Sequence, residues 1–315
     1  MKIAAFNVKQ LGWRKVNNPV VRKNLIKIVS RYSIVVMLEV VDQSGRAMIK
    51  FCNELNKHRM NRCNPFAMRC SESLGRGTYR EKFVYFYRED DVTLIDSYQY
   101  REEEEEEEEA EEEVEEQEEE EDDDDYDQED EDEEEEEEDD DDDDDDDDDQ
   151  EEKEEEEEVD VLAREPFCVQ FECHHTVLQH LVLIPVHTKP EDTEIELDAL
   201  LDVVQDVRRR WRTNNIMILG DFNADGQYLS RRGMQRVQIR YPPYYWLIGD
   251  DEDTTTSDSN DHTYDRIVVY GGHMYNSVVP NSAKPFNFQR AYRLSRATTR
   301  AISDHYPVEV ELQKK

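Results

Sequence analysis

Between residues 102 and 158, 50 of 57 positions are Asp or Glu and one is Lys. Mutual repulsion and the near absence of apolar side chains leave such a run nothing to fold with, so it is expected to be disordered and solvated. The rest of the chain must therefore fold across it. The formal net charge of −43 hides what that remainder is. Without the run, 258 residues carry 37 Lys or Arg against 31 Asp or Glu, a balance of +6. A body of that size can bury a sizeable core as one domain. Its mildly positive balance is permissive for an anionic partner. The run lies between Tyr98-Gln99-Tyr100 and the apolar stretch Phe167 to Phe171. That placement predicts a hairpin-type loop carrying a long insertion, which a fold tolerates because loop-closure entropy grows slowly with length.

No apolar stretch approaches the roughly 20 residues of a membrane span. The N-terminus, Met1-Lys2 followed by IAAFNV, reads as a strand and is too short for a signal peptide. The expected location is intracellular, the nucleus included, or secreted if a leader was removed from this form. The five cysteines, Cys52, Cys63, Cys70, Cys168 and Cys173, are odd in number and match no zinc spacing. They are expected to be reduced and mostly structural. No N-x-Ser/Thr sequon is present, which points the same way.

Outside the acidic run, apolar strand patterns alternate with helical ones. Strands are expected at Met1 to Val8, within Arg31 to Val41, at Phe83 to Arg88, Phe167 to Phe171, within Val177 to His187, and at Ile216 to Leu219. Two more are expected at Tyr264 to Tyr270 and after Asp304-His305. Helices are expected over Val21 to Ser30, Gly45 to Leu55 and Glu191 to Trp211. Ser73 to Lys82 reads as turn-like and Val278 to Phe288 as irregular. This order, with several strands apolar on both faces, predicts an α/β architecture of two packed sheets flanked by helices.

Functional groups gather at the strand ends. In IMILGDFNADG, Asp221 and Asn223 are two apart, so an extended chain points both to one side. A carboxylate and an amide there suit a hard cation or a phosphate. Asp and Asn also suit a plain turn. Glu39 interrupts the apolar run IVVMLEV, which is costly unless the acid is paired or bound to metal. Asn7, His187, Asp265, Asp304 and His305 likewise stand where apolar strands end or begin. Carboxylates and amides favour a divalent ion, and two histidines with acidic partners can serve as base and acid. No Ser or Cys stands in a nucleophile setting, so water is the expected nucleophile. The combination points to metal-assisted hydrolysis of a phosphate ester.

The sequence resembles the deoxyribonuclease I family, within the larger superfamily of metal-dependent endonucleases, exonucleases and phosphatases. LGDFNA and ISDHYP carry the superfamily pattern. YDRIVV with PFNFQRAY and YREKF is specific to the deoxyribonuclease I branch, and AREP (163–166) also bears the resemblance. The resemblance covers nearly all of the chain outside 102–158. It implies a four-layer sandwich of two mixed sheets and an endonuclease that cuts double-stranded DNA to 5′-phosphate ends. It implies Mg²⁺ or Mn²⁺ in the centre and structural Ca²⁺. By position, Asn7, Glu39 and Asp304 would hold the metal, and Asp221 and Asn223 would bind metal or orient phosphate. His305, oriented by Asp265, would activate water. His187, oriented by Glu81, would protonate the departing 3′-oxygen. Arg164 and Tyr79 would contact DNA phosphates, and Arg76 and Tyr228 would approach the backbone and minor groove.

Three departures stand out. Val41 occupies the place of the family's minor-groove arginine. Gly226 and His262 occupy the places of its main disulfide. The acidic run replaces a small calcium-associated loop, while the loop near 250–260 stays acidic, with Asp253 and Thr255 as the candidate calcium position. The run itself reads as a solvated expansion, a DNA mimic, a histone-binding or other basic-protein-binding segment, or a weak cation reservoir. Two other functions fit less well: a catalytically weak DNA- or chromatin-binding protein, and a sibling phosphoesterase. The chain is expected to act as a monomer, without a membrane partner.

Overall fold

The structure is a computed structural model that describes residues 1–102, 161–259 and 261–315. The expected disorder of the acidic run lies, beyond Glu102, outside these residues. Met1–Arg101 and Val161–Lys315 together form one compact unit.

Twelve strands, numbered in chain order, make two six-stranded sheets. The first sheet holds β1 (Lys2–Leu11), β2 (Ile34–Val40), β3 (Phe66–Cys70), β4 (Lys82–Arg88), β11 (Lys284–Pro285) and β12 (Val308–Glu311), in the order β11-β12-β1-β2-β4-β3. The second holds β5 (Val92–Gln99), β6 (Phe167–Cys173), β7 (His180–His187), β8 (Ile216–Asp221), β9 (Tyr244–Trp246) and β10 (Asp265–Tyr270), in the order β5-β6-β7-β8-β10-β9. Each sheet is built on one parallel pair, β1 with β2 and β7 with β8, and its other neighbours are antiparallel. A parallel pair needs a crossover. Helices α1 (Trp13–Asn17) and α2 (Pro19–Val29) supply the first, and α4 (Thr193–Trp211) the second. Helix α3 (Arg46–Lys57) follows β2. The short α5 (Arg231–Met234), α6 (Gly272–Asn276), α7 (Phe288–Tyr292) and α8 (Arg296–Ile302) are the other α-helices of the described residues.

The period of two in the strands sets the layers. Ile3, Ala5, Ile34, Val36, Leu38, Phe83 and Tyr85 of the first sheet meet Val169, Phe171, Leu183, Met217, Leu219 and Ile267 of the second. The alternate residues Ala4, Phe6, Val35 and Met37 turn outward against Leu25, Val29, Phe51 and Leu55 of α2 and α3. On the far side, Ile184, Ile216 and Ile218 pack on Leu197, Leu200, Val204 and Val207 of α4. The result is helices, sheet, sheet, helices, the four layers implied by the sequence. A register slip of one residue would swap every strand's inner and outer sets. With about 1.5–3 kcal/mol at stake per large buried side chain, the register is strongly determined.

Strand β5 pairs with β6, with Gln99 opposite Phe167, so the hairpin expected around the insertion is present. Some elements run differently from the sequence reading. β1 continues past Asn7 to Leu11 through a bulge. α2 starts at Pro19, because the Asn18 side chain caps Val20 N and Val21 N. α3 ends at Lys57, two residues later than the pattern suggested. β11 lies in the stretch expected to be irregular. Among the described residues no helix is long and apolar enough to cross a membrane.

Candidate active site

The strand ends of both sheets form one rim. In the second sheet His187 stands beside Asp221 across the parallel β7–β8 pair, and Asp265 stands beside Asp221 on the other side. Gly220 permits this closeness. Its φ is +149°, and a Cβ there would sit 2.0 Å from the Val186 carbonyl oxygen, so a side chain would force the two strands apart. From the first sheet, β1 brings Asn7 and β2 brings Glu39, just past the Asn7–Leu38 register pair. Asp304 and His305 lie between α8 and β12.

Asp221 is the hub. The Asn7 amide donates from Nδ2 to Asp221 Oδ2 at 3.0 Å and to Glu39 Oε1 at 2.9 Å, tying the two sheets together. The same Asp221 oxygen lies 3.8 Å from His187 Nε2 and 3.6 Å from His305 Nε2. Two imidazoles thus approach one carboxylate oxygen from different elements. Each is held at its other nitrogen: His187 Nδ1 lies 2.5 Å from Glu81 Oε1, and His305 Nδ1 lies 2.7 Å from Asp265 Oδ2. Glu81 and Asp265 are both buried. This backing fixes the ring orientation and tautomer and leaves Nε2 facing the rim.

The electrostatics follow from the neighbours. Burial opposes charge on His305, but Asp265 and then Asp221 outweigh it and raise the imidazole to about 10. Burial pushes the Asp265 carboxyl up to about 6 against the pull of His305. Burial also opposes charge on His187, and Glu81 again wins, so this imidazole too lies above its ordinary value. Glu81 lies below the usual carboxylate range in spite of burial, because His187 and Arg164 face it.

Asn223 takes a double part. Its backbone N–H donates to Asp221 Oδ1 at 3.1 Å, and its amide donates from Nδ2 to the Thr188 carbonyl at 2.9 Å. The stretch is a turn and part of the rim at once, with one Asp221 oxygen closing the turn and the other facing the histidines. The Asn223 nitrogen is committed to the scaffold, which leaves the amide oxygen as the atom a ligand would meet. Phe222 between them is fully buried and packs edge-on to Trp246, 5.6 Å between centroids.

Strain concentrates here. Lys9, Gln10, Glu39 and Asn223 all have positive φ, between 45° and 56°. Such conformations persist only where the surroundings over-determine them, as functional sites do. At the β1 bulge Asn7 Oδ1 accepts from Lys9 N at 2.9 Å, and Glu39 Oε2 accepts from Gln10 N at 3.1 Å. Lys9 Nζ lies 2.5 Å from Asp304 Oδ2. Lys15 Nζ donates to the carbonyls of Val8, Lys9 and Ile302 at 2.7, 2.8 and 2.6 Å, so it joins the bulge to the end of α8. Ser303 Oγ donates to the Asn7 carbonyl at 2.6 Å. Lys9, Lys15 and Ser303 were absent from the sequence reading. Lys9 had a usable signal, since it is two residues from Asn7 in a strand, as Asn223 is from Asp221.

The donor chemistry fits a hard cation. Glu39 and Asp221 meet at the Asn7 amide N–H and Asp304 turns to an ammonium, a set of carboxylate oxygens, while the Asn7 amide oxygen accepts from Lys9 N. Ligand atoms of Asp221, Asp265 and His305 also lie within 4.8 Å of one another. In that group Asp265 and His305 are hydrogen-bonded to each other through Oδ2 and Nδ1.

Of the residues expected to touch DNA, Arg164, Tyr79 and Tyr228 lie near this centre. Arg164 Nε lies 3.1 Å from Glu81 Oε1, and Arg164 Nη1 lies 3.3 Å from the His187 carbonyl. Tyr79 is 38 % exposed, and burial, then Glu81 and Glu39, push its hydroxyl up. Arg76 is exposed. The Tyr228 ring lies 5.4 Å from that of Tyr264, which is 6.3 Å from the His305 ring. In the 250–260 loop, Asp253 Oδ1 accepts from both N and Oγ1 of Thr255 at 2.9 Å, a local turn.

Residues 135–305 match the model of the endonuclease/exonuclease/phosphatase family. The chain is 36 % identical to deoxyribonuclease-1 of Oryctolagus cuniculus over 313 residues, which covers 99 % of this chain and 92 % of that protein. It is 32 % identical to human deoxyribonuclease gamma over 314 residues, 99 % and 86 % of the two chains. A solved endonuclease/exonuclease/phosphatase structure from Bacteroides vulgatus superposes with a TM-score of 0.54 over 99 % of this chain and 98 % of that one, at 12 % identity, an agreement in fold alone. Two packed mixed sheets with a rim of acids, amides and histidines define the class as the endonuclease/exonuclease/phosphatase superfamily. Within it, the chain belongs to the deoxyribonuclease I family.

Proposed function

We propose that this protein is a divalent-metal-dependent DNA endonuclease, acting mainly on duplex DNA and leaving 5′-phosphate ends. The observation that carries the reading is the pair of imidazoles set about one Asp221 oxygen, each backed by a buried carboxylate. A phosphodiester seated there has a proton acceptor on one side and a proton donor on the other. His305, with its Nδ1 proton on Asp265, accepts a proton from water at Nε2 as the new P–O bond forms. His187, kept charged by Glu81, gives the proton at Nε2 to the 3′-oxygen as that P–O bond breaks. Asn7, Glu39, Asp304 and Asp221 would hold Mg²⁺ or Mn²⁺, with Asn223 as ligand or phosphate guide. When bound, the cation supplies positive charge that polarises the phosphate and lowers the proton affinity of nearby groups. Arg164 and Tyr79 hold phosphate oxygens, and Arg76 and Tyr228 meet the backbone further along. Structural Ca²⁺ belongs to the same reading, with Asp253 as its acidic group. We also propose one domain interrupted by the acidic run, which binds histones or other basic proteins.

Supercoiled plasmid tests this. Nicking is expected with Mg²⁺ and none with EDTA, and His187→Ala should slow it by about 10²–10⁴-fold. A wild-type protein that leaves the plasmid intact overturns the reading.

A further inference from the structure

Trp13 opens α1 and is 55 % exposed, whereas Trp211 and Trp246 are partly covered. A single exposed apolar side chain needs no explanation in itself. Three observations set this one apart. It is held in place, because Lys50 Nζ sits 5.0 Å from the centre of its ring and also bonds Asn17 Oδ1, at the other end of the same short helix. It follows a rim segment in the chain, because the strained turn Lys9-Gln10, which bonds Glu39, comes three residues before Trp13. The residues just before it pack on an apolar strand end, because Leu11 pairs with Val40 and Gly12 presses on Val41. A Cβ at Gly12 would meet the Val41 carbonyl oxygen at 2.9 Å and its Cγ2 at 3.2 Å. Exposed Arg14 follows directly.

An exposed aromatic ring, steadied from one side, next in the chain to a cation and just after a phosphodiester-binding rim segment, is the arrangement that stacks on nucleobases. We propose that Trp13, steadied by Lys50, determines specificity by stacking on a base of the bound strand while Arg14 meets a neighbouring phosphate. Stacking needs a base free of its own neighbours. The sites it selects within duplex DNA are therefore those with accessible bases: single-stranded gaps, mismatches and easily opened pyrimidine–purine steps, over stiff, fully paired stretches. The proposal rests on the DNA-hydrolysing reading above.

The test uses the full chain with His187→Ala, so that DNA is bound and not cut, titrated with single-stranded oligothymidylate in Mg²⁺ while tryptophan emission is followed. A saturable quench is expected. Adding Trp13→Ala should remove most of the quench and weaken single-strand binding about tenfold, while binding to a fully paired G·C duplex moves about twofold or less. Trp13→Phe should keep most of the affinity. In the active protein, the ratio of cleavage of a mismatched over a matched duplex should fall toward one in Trp13→Ala. An undiminished quench in Trp13→Ala, or an unchanged cleavage ratio, overturns the proposal. Absence of all cleavage by the wild type counts against the hydrolase reading instead, since the quench is read without any cutting.

Discussion

His305 has a carboxylate facing each of its ring nitrogens. Asp265 at 2.7 Å and Asp221 at 3.6 Å lift its imidazole to about 10 against the cost of burial, while burial lifts Asp265 to about 6. Between those values the pair is fully charged. A histidine raised above its ordinary 6.5 contributes stability that is complete below about 6.5 and is lost as pH rises through about 10. Without metal, the His305 ring resonance is expected to titrate near 10 in an NMR series in EDTA, and Mg²⁺ should move the midpoint down, toward the neutral form a base requires. A midpoint at 6.5 in EDTA would show that the carboxylates do not control it. These pairings were partly legible as residue types: Asn7, Glu39, His187, Asp221, Asp265 and His305 all converge as their strand-end positions suggested. Lys15 was not legible, because nothing in a lysine codon neighbourhood announces three carbonyl partners from two distant segments.

At the scale of elements, the loops after β8 and before β10 show how the fold is closed without a cystine. Gly226 and His262 are neighbours in space, as the resemblance required of that pair: a Cβ on Gly226 would lie 2.8 Å from the His262 ring. The ring uses the room the glycine leaves. It stacks on Tyr264, 5.0 Å between centroids at 28°, and His262 Nδ1 lies 3.3 Å from Asp225 Oδ2. Asp225 also accepts from Thr263 N at 2.9 Å, so the join keeps a hydrogen bond independent of the imidazole. Gly226→Cys with His262→Cys should form a disulfide under oxidising conditions. Its expected worth of about 2–4 kcal/mol is reduced by roughly 1–2 kcal/mol for a side chain at φ +62°. A modest rise in Tm that vanishes on reduction is the outcome to look for, and no redox dependence would mean the two positions cannot be bridged. Long doubly buried strands such as β2 and β8 were readable from apolar runs. The half-exposed edge strand FAMRC of β3 and the three residues of β9 were not, since short edges lack both a continuous run and a clean alternation.

The whole molecule joins two opposite charge characters in one chain. Outside 102–158 the balance is +6, and inside it 50 acids stand against one lysine. The layered fold could be read through this mixture because apolar periodicity is local and survives an insertion, whereas net charge is a sum over the chain and misleads. We propose that the acidic residues compete with DNA phosphates for the same cations, such as Arg76 and Arg164, where the two come within a Debye length, about 10 Å at 0.1 M salt. Deleting 102–158 should therefore raise DNA affinity at low ionic strength. DNA binding releases counterions from the phosphates and so weakens steeply with salt. The acidic run acts through the same long-range charge, so its effect should fade over the same range. The shortened chain should accordingly show a steeper fall of log K with log salt than the full chain, and the two lines should converge toward high salt. Binding isotherms of the His187→Ala forms of both chains, taken across a salt series, measure this directly. Equal affinities at the lowest salt would mean that the acidic run does not compete for the DNA-binding face, and would leave basic proteins as its proposed partners.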